Sequence, residues 1–248
     1  MKTLKVAKYQ ISSSIGPIKI YYFIYLFVLL FFSVTIATSD GRASSSGLDF
    51  STMIFLFVAG LNSFKSTFLL AQANNISRKA FFKGIIIAVF PITLTMTIIE
   101  FTINRVQNIF AKCANLYDMI YGNFRYFESS VNWTQSNDLK TIFATIIWQF
   151  AIFSSIFILG ILISLCYYRS NKIMKVVISV VPVLLLGFSY NINNIFLKVF
   201  NINIANIISS AFGLQSQNPF IAILSLTILM IMFSSLIYLL IKRAVIKH

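Results

Sequence analysis

Tyr21-Tyr22-Phe23-Ile24-Tyr25-Leu26-Phe27-Val28-Leu29-Leu30-Phe31-Phe32 is an unbroken run without charge, glycine or proline. Ile221 to Phe233 is a second long apolar run. A strand of a transmembrane barrel alternates an apolar outer face with a polar inner one, and neither run alternates. Inside hydrocarbon, the remaining way to satisfy backbone N–H and C=O groups is a helix. About 20 apolar residues cross a hydrocarbon core of roughly 30 Å. Six segments meet that length, at about 20–39, 50–71, 85–103, 142–166, 176–197 and 219–241. Composition agrees: the chain is 58% hydrophobic, 16% aromatic and 10% charged. A soluble domain carries roughly a quarter charged residues. The sequence predicts an all-α membrane protein, with residues 1–248 forming a single transmembrane domain of six helices.

The charges between these runs are sorted. Five of the six acids, Asp40, Asp49, Asp118, Glu128 and Asp138, fall in three of the gaps. The clusters Lys2/Lys5/Lys8/Lys19, Arg78/Lys79/Lys83, Arg169/Lys172/Lys175 and Lys242/Arg243/Lys247 fall in the alternate gaps, with no acid among them. Lys and Arg resist translocation, so the basic gaps and both termini are expected in the cytoplasm. A net charge of +14 would suggest nucleic acid in a soluble protein. Sorted this way it serves topology and attraction to anionic membrane lipid, and no nucleic-acid partner is expected. Cys113 and Cys166 are expected near opposite faces, too far apart for a disulfide. No cleavable signal peptide is apparent, because the first apolar run is too long and Thr38-Ser39-Asp40 makes a poor cleavage site.

The connections carry patterns of their own. Leu4, Ala7, Ile11 and Ile15 recur at helical spacing beside Lys2, Lys5 and Lys8, which predicts an interfacial helix over 1–15 rather than a frayed basic tail. Gly16-Pro17 is expected to end it. Residues 40–49 read as a polar turn. Residues 74–83 mix basic residues with Ile76, Phe81 and Phe82. Ser77 is expected to cap a short cytoplasmic helix there, and Gly84 to break it before the third span. Val106, Ile109, Phe110, Cys113, Leu116, Tyr117 and Ile120 predict an amphipathic outer helix, lying on the membrane or packed over the outer mouth. Asn132-Trp133-Thr134 matches a glycosylation acceptor, a pattern without meaning outside a secretory pathway. Residues 198–218 are Asn-rich yet apolar, as a re-entrant pair of short helices would be. No internal repeat or soluble domain is evident.

Enzyme chemistry is poorly supplied. The single histidine is His248, which removes His-based metal sites and triads. No G-x-x-x-x-G-K-[ST] loop is present, so the chain does not bind a nucleotide that way. Thr93, Thr97, Glu100 and Asn104 share one face of the third span. That stripe faces protein or a wet cavity, or else Glu100 sits in solvent at the outer interface. Asn62, Ser63, Ser66 and Thr67 form another stripe, with Lys65 nearby. Hydrogen bonding between helices explains it at about 0.6 kcal/mol per contact. Pro91 and Pro182 are expected to bend the third and fifth spans.

The order of interfacial helix, two spans, cytoplasmic helix, three spans, re-entrant segment and last span resembles the membrane subunit of type-two ATP-binding-cassette exporters. In sequence the likeness rests on Ala73-Asn74-Asn75-Ile76-Ser77-Arg78-Lys79-Ala80-Phe81-Phe82-Lys83-Gly84. It is similar to the A-N-G-x-S-R-K-x-F-F-x-G run of such permeases from Gram-positive bacteria, with Asn75 in place of the glycine. The resemblance implies two permeases, identical or related, each docking a separate cytoplasmic P-loop ATPase that holds ATP and Mg. Asn75, Ile76, Ser77, Arg78, Lys79, Ala80, Phe81 and Phe82 would then form the coupling surface, with Ala80 and Phe81 as an apolar knob. The chain itself needs no cofactor and is not an enzyme on this reading. The implied cargo is an amphipathic peptide, toxin, drug or lipid-like molecule, with Asn62, Ser66, Thr93, Thr97 and Glu100 as a candidate path. Segment 104–140 is longer than the family's usual third-to-fourth connection, and suits a substrate or partner contact or a lid. Usage rich in Ile, Asn, Lys and Phe points to the plasma membrane of a low-GC Gram-positive host. The rival class is a non-transporting assembly or immunity protein that binds a partner in the bilayer. A membrane-embedded enzyme is a third option, weakened by the missing histidines.

Overall fold

The computed structural model describes residues 2–38, 45–122 and 133–242. Asp40, Glu128, Asn132, Arg243, Lys247 and His248 lie outside them. The elements are α1 (Lys2–Ala37), β1 (Ser45–Ser46), α2 (Asp49–Ser63), α3 (Lys65–Ala73), α4 (Arg78–Phe110), β2 (Cys113–Ala114), α5 (Leu116–Ile120), α6 (Leu139–Arg169), α7 (Lys172–Gly187), α8 (Ser189–Phe200), α9 (Ile204–Ala211) and α10 (Pro219–Lys242). Of the described residues, 84% are helical. β1 and β2 form a two-residue parallel pair.

Among the described residues, five stretches are long and apolar enough to cross a membrane: α1, α2 with α3 (Asp49–Ala73), α4, α6 and α10. α7 and α8 meet at 75°, so a sixth span exists only if that bent pair counts as one. The bend expected at Pro182 in the fifth span is therefore corrected in its place. The break falls at Phe188, and α7 runs on through Pro182, as α4 does through Pro91. The second span is also divided, but Phe64 at the joint keeps right-handed helical angles (φ −84°, ψ −59°), so the chain bends without turning back.

α4 and α6 form the centre. α4 packs against α1, α6 and α10, while α6 also carries α2. α2 and α6 cross where Gly60 meets Gly160. A Cβ on Gly60 would strike the Phe157 carbonyl, and one on Gly160 the Phe57 carbonyl. Small residues at a crossing allow two backbones to approach and gain dispersion contacts, the main attraction between helices in lipid. Outside this centre, large apolar side chains face outward, Phe23 at 77% and Ile173 at 79% exposure. Such a belt is unlike the surface of a water-soluble monomer.

Three expected elements are corrected. α1 is continuous, with no interfacial helix ending at Gly16-Pro17. Pro17 removes one backbone donor, yet α1 is held to α4 on both sides of it. Val6 sits where a Gly84 Cβ would be, and Tyr22 Oη donates to Met96 O at 3.1 Å. Second, residues 74–83 make no separate helix. Ser77 caps α4 itself, accepting from the Ala80 N–H, and Gly84 lies inside α4 to admit Val6. Third, the outer amphipathic helix is interrupted. Ala111 is extended (φ −146°, ψ 137°), and Cys113-Ala114 pairs with Ser45-Ser46 before α5 begins. In 198–218 the structure places one short helix, α9, and turns, after α8 ends at Phe200.

The charge sorting holds in three dimensions. Lys2 Nζ donates to Asn75 O at 3.2 Å, and Arg78 Nη1 to Lys242 O at 2.8 Å. These bonds gather the ends of α1, α3, α4 and α10 at one basic end of the bundle. Asp49 and Asp138 stand at the starts of α2 and α6, at the opposite end, with Asp118 on α5.

Candidate functional site

The basic end is built around the turn between α3 and α4. Ile76 N–H donates to Ala71 O at 2.9 Å, and Asn75 N–H to Gln72 O at 3.0 Å. With Asn75 left-handed (φ 52°), this is a Schellman cap closing α3. Glycine takes that conformation most readily, and asparagine next. The half-buried Ile76 joins the core, as such caps require. Asn75, Ser77, Arg78 and Lys79 are exposed, while Ala80 and Phe82 are half-buried. Phe81 is 0% exposed. Its ring lies 5.2 Å from Phe68 and 6.0 Å from Phe64, and both of those rings also contact Tyr168. The expected knob is corrected accordingly: the core already uses Phe81, so it cannot enter a partner's groove.

The third-span stripe does not line one path. Thr93 Oγ1 bonds Ser154 Oγ on α6 at 2.8 Å, and Thr97 Oγ1 donates to Thr93 O. Glu100 is 1% exposed and faces α1 and α2. Tyr25 Oη donates to its Oε1, and Thr52 Oγ1 donates to Oε2 at 2.9 Å. Tyr21 Oη shares hydrogen bonds with Thr52 Oγ1 at 2.7 Å and Ser51 Oγ at 2.9 Å. Of the readings for Glu100, the solvated interfacial carboxylate and the wet-cavity lining are corrected, and the stripe faces protein. Each carboxyl oxygen is satisfied by a hydroxyl from another helix, which makes the residue a joint of α1, α2 and α4. Sequence reasoning missed the tyrosines. Their only signal was three hydroxyl-bearing rings at 21, 22 and 25 in an otherwise apolar run.

The opposite end is closed by a polar network. Asn115 and Asp118 form a capping box at α5, and both Asp49 carboxylate oxygens accept from Leu116 N–H, at 3.0 and 3.2 Å. Gln135 Nε2 donates to Asp118 Oδ2 at 2.7 Å and Asn104 Oδ1 at 2.8 Å. Burial pushes the Asp118 carboxyl above its ordinary value, opposed by its bonds to Gln135 and Asn115 and by the Arg105 charge. Tyr117 and Tyr121 pack edge-on against Trp148 of α6. Of the two placements expected for this segment, the described part packs over the bundle end.

One cleft, about 330 Å³ in volume, lies between α1 and α2–α3. Asn62 and Ser66 line it, joined by Gln10, Ser13 and Ser14 of α1, which sequence reasoning had assigned to a surface helix or its end. The candidate path thus divides, with two residues in a cleft and Thr93, Thr97 and Glu100 sealed in the bundle. Among the described residues no group of His, Cys, Asp and Glu is placed to hold a metal ion. Compared with known proteins, the chain matches no family model, no curated protein and no solved structure.

Proposed function

We propose that this chain is the permease subunit of an ATP-driven exporter. In this reading six spans place both termini in the cytoplasm, at the plasma membrane of a Gram-positive bacterium. Two permeases, identical or related, pair and dock two cytoplasmic P-loop ATPase subunits, which hold ATP and Mg. The cargo is an amphipathic peptide, toxin, drug or lipid-like molecule. The observation that carries the reading is the α3–α4 turn. At the basic end of the bundle it presents Asn75, Ser77, Arg78 and Lys79 outward. Asn75, which stands where the similar permease run has glycine, is left-handed. The turn is anchored from behind by Lys2 on Asn75 O and by Arg78 on the end of α10. A push on it would therefore reach α1, α4 and α10 together. The coupling surface becomes the turn and the first residues of α4, without Phe81.

A photocrosslinking residue at Lys79, in cells expressing the full chain and its neighbours, should capture a P-loop ATPase. Recovery of the chain with no ATPase would remove the exporter reading. The rival, a non-transporting assembly or immunity factor, draws on the locked Glu100 junction, which behaves as scaffold. It requires instead a bilayer partner, recovered without any ATPase.

A further inference from the structure

We propose that the cleft between α1 and α2–α3 binds the uncharged, hydroxyl-bearing headgroup of a lipid-like amphiphile, a glycosyl headgroup being the type. Gln10 lines the cleft while only 3% exposed. Its Oε1 accepts from Thr67 Oγ1 at 2.9 Å, and among the described residues no protein acceptor takes its Nε2. The amide nitrogen keeps accessible surface, so its N–H is offered to whatever fills the cleft. Ser13 and Ser14 each donate to Gln10 O at 2.9 Å, and Ser63 donates to Ala59 O at 2.6 Å. With those protons committed, the three hydroxyl oxygens keep lone pairs for a ligand. Asn62 and Ser66, both exposed, add donors and acceptors.

The lining also selects the chemistry. Among the described residues, no Lys, Arg, Asp or Glu lines the cleft. A phosphate or an ammonium would enter without a counter-charge, and a buried unpaired charge is strongly unfavourable. A hydroxyl both donates and accepts, which matches the mixed lining. Ile18, Phe55 and Val58 border the same space. They favour an alkyl chain continuing from the headgroup, and so an amphiphile over a free sugar.

As a binding site the cleft stands alone; as the exporter's cargo site it rests on the reading above. The test is native mass spectrometry of the full chain, purified in a non-glycosidic detergent. It is offered equal amounts of monoglucosyl-diacylglycerol, diacylglycerol and phosphatidylglycerol with the same acyl chains. The glycolipid should be retained over the others by about fivefold or more, the scale of one or two hydrogen bonds. Asn62→Leu, at an exposed position, and Gln10→Leu should each abolish that preference, whereas Gly187→Ala, where a Cβ meets open space, should leave it. Equal uptake of the three lipids, preference for phosphatidylglycerol, or an unchanged preference in Asn62→Leu overturns the site. Free glucose in large excess should not displace the glycolipid, and displacement would overturn the amphiphile assignment. No ATPase enters the measurement, so failure of the exporter reading leaves its result intact.

Discussion

At the scale of single residues, the Glu100 junction decides between a scaffold and a path. A hydrogen bond between spanning helices averages about 0.6 kcal/mol, whereas stranding a buried polar group costs about 1–3 kcal/mol. Tyr25→Phe should therefore cost about 1 kcal/mol, and Glu100→Ala about 3 kcal/mol, because the second strands two hydroxyls. Thermal unfolding of the purified chain and a double-mutant cycle measure both, with non-additive losses expected. On the exporter reading proposed above, Glu100→Gln should reduce export of cationic and neutral cargo alike. A loss confined to cationic cargo would return Glu100 to a substrate path. The stripe at 93, 97, 100 and 104 was legible, but Tyr25 lies 75 residues from Glu100, and nothing local pairs them. Phe81 teaches the same lesson. Phe81→Asp should unfold the chain, since truncating a core Phe alone costs about 3–5 kcal/mol and a buried charge adds to it. Lys79→Glu, on an exposed side chain, should leave melting unchanged and weaken only ATPase recovery. A stable, monodisperse Phe81→Asp variant would put the aromatic cluster in error.

At the scale of elements, close backbone approach and the end network make separate predictions. Gly60→Val or Gly160→Val should force α2 from α6 and cost about 1–3 kcal/mol, the scale of overpacking. Gly187→Ala is the matched control. Equal melting for all three would mean that α2 and α6 do not cross there. The network around α5 should respond to pH through Asp118. Its folded value is raised above the ordinary one, near 3.9. The folded state therefore holds its proton more tightly, so this contribution is complete below that ordinary value and is lost as pH rises through the folded value. Trp148 fluorescence, followed in a Trp133→Phe background, reports the packing of Tyr117 and Tyr121. It should change over that window, and Asp118→Asn should flatten the response. Ser77 as a helix cap was legible at this scale, because a cap is a local bond between neighbours. The break at Phe188 was not. Pro182 was the visible signal, and the chain bends after Gly187 instead.

At the scale of the whole molecule, the two ends of the bundle differ in charge, and that difference sets the expected orientation. Asn75→Cys, in the basic-end turn, should react with an impermeant maleimide only after cells are permeabilised. Asn137→Cys, beside the start of α6, should react in intact cells. Reversal of the two would invert the topology and, with it, the side on which an ATPase could dock. The native thiols interfere little, since Cys113 is buried and Cys166 half-buried.

The sequence by itself determined the helical class, the approximate bounds of the long apolar helices after the first and the separation of charge between the two ends. These follow from composition and short-range order: an apolar run has no other way to satisfy its backbone in lipid, and Lys and Arg mark their own gaps. The turn at Asn75 is left-handed in the fold, an angle that asparagine takes at small cost although it replaces a glycine. Tertiary structure alone decided which polar groups are spent and which are free. In sequence Glu100 and Asn62 look alike, each a polar residue within an apolar span. In the fold Glu100 is saturated by hydroxyls from α1 and α2, while Asn62 opens with the unpaired Gln10 amide onto a cleft. The physical reason is that satisfaction of a buried polar group depends on partners brought together by packing, and those partners lie tens of residues away along the chain.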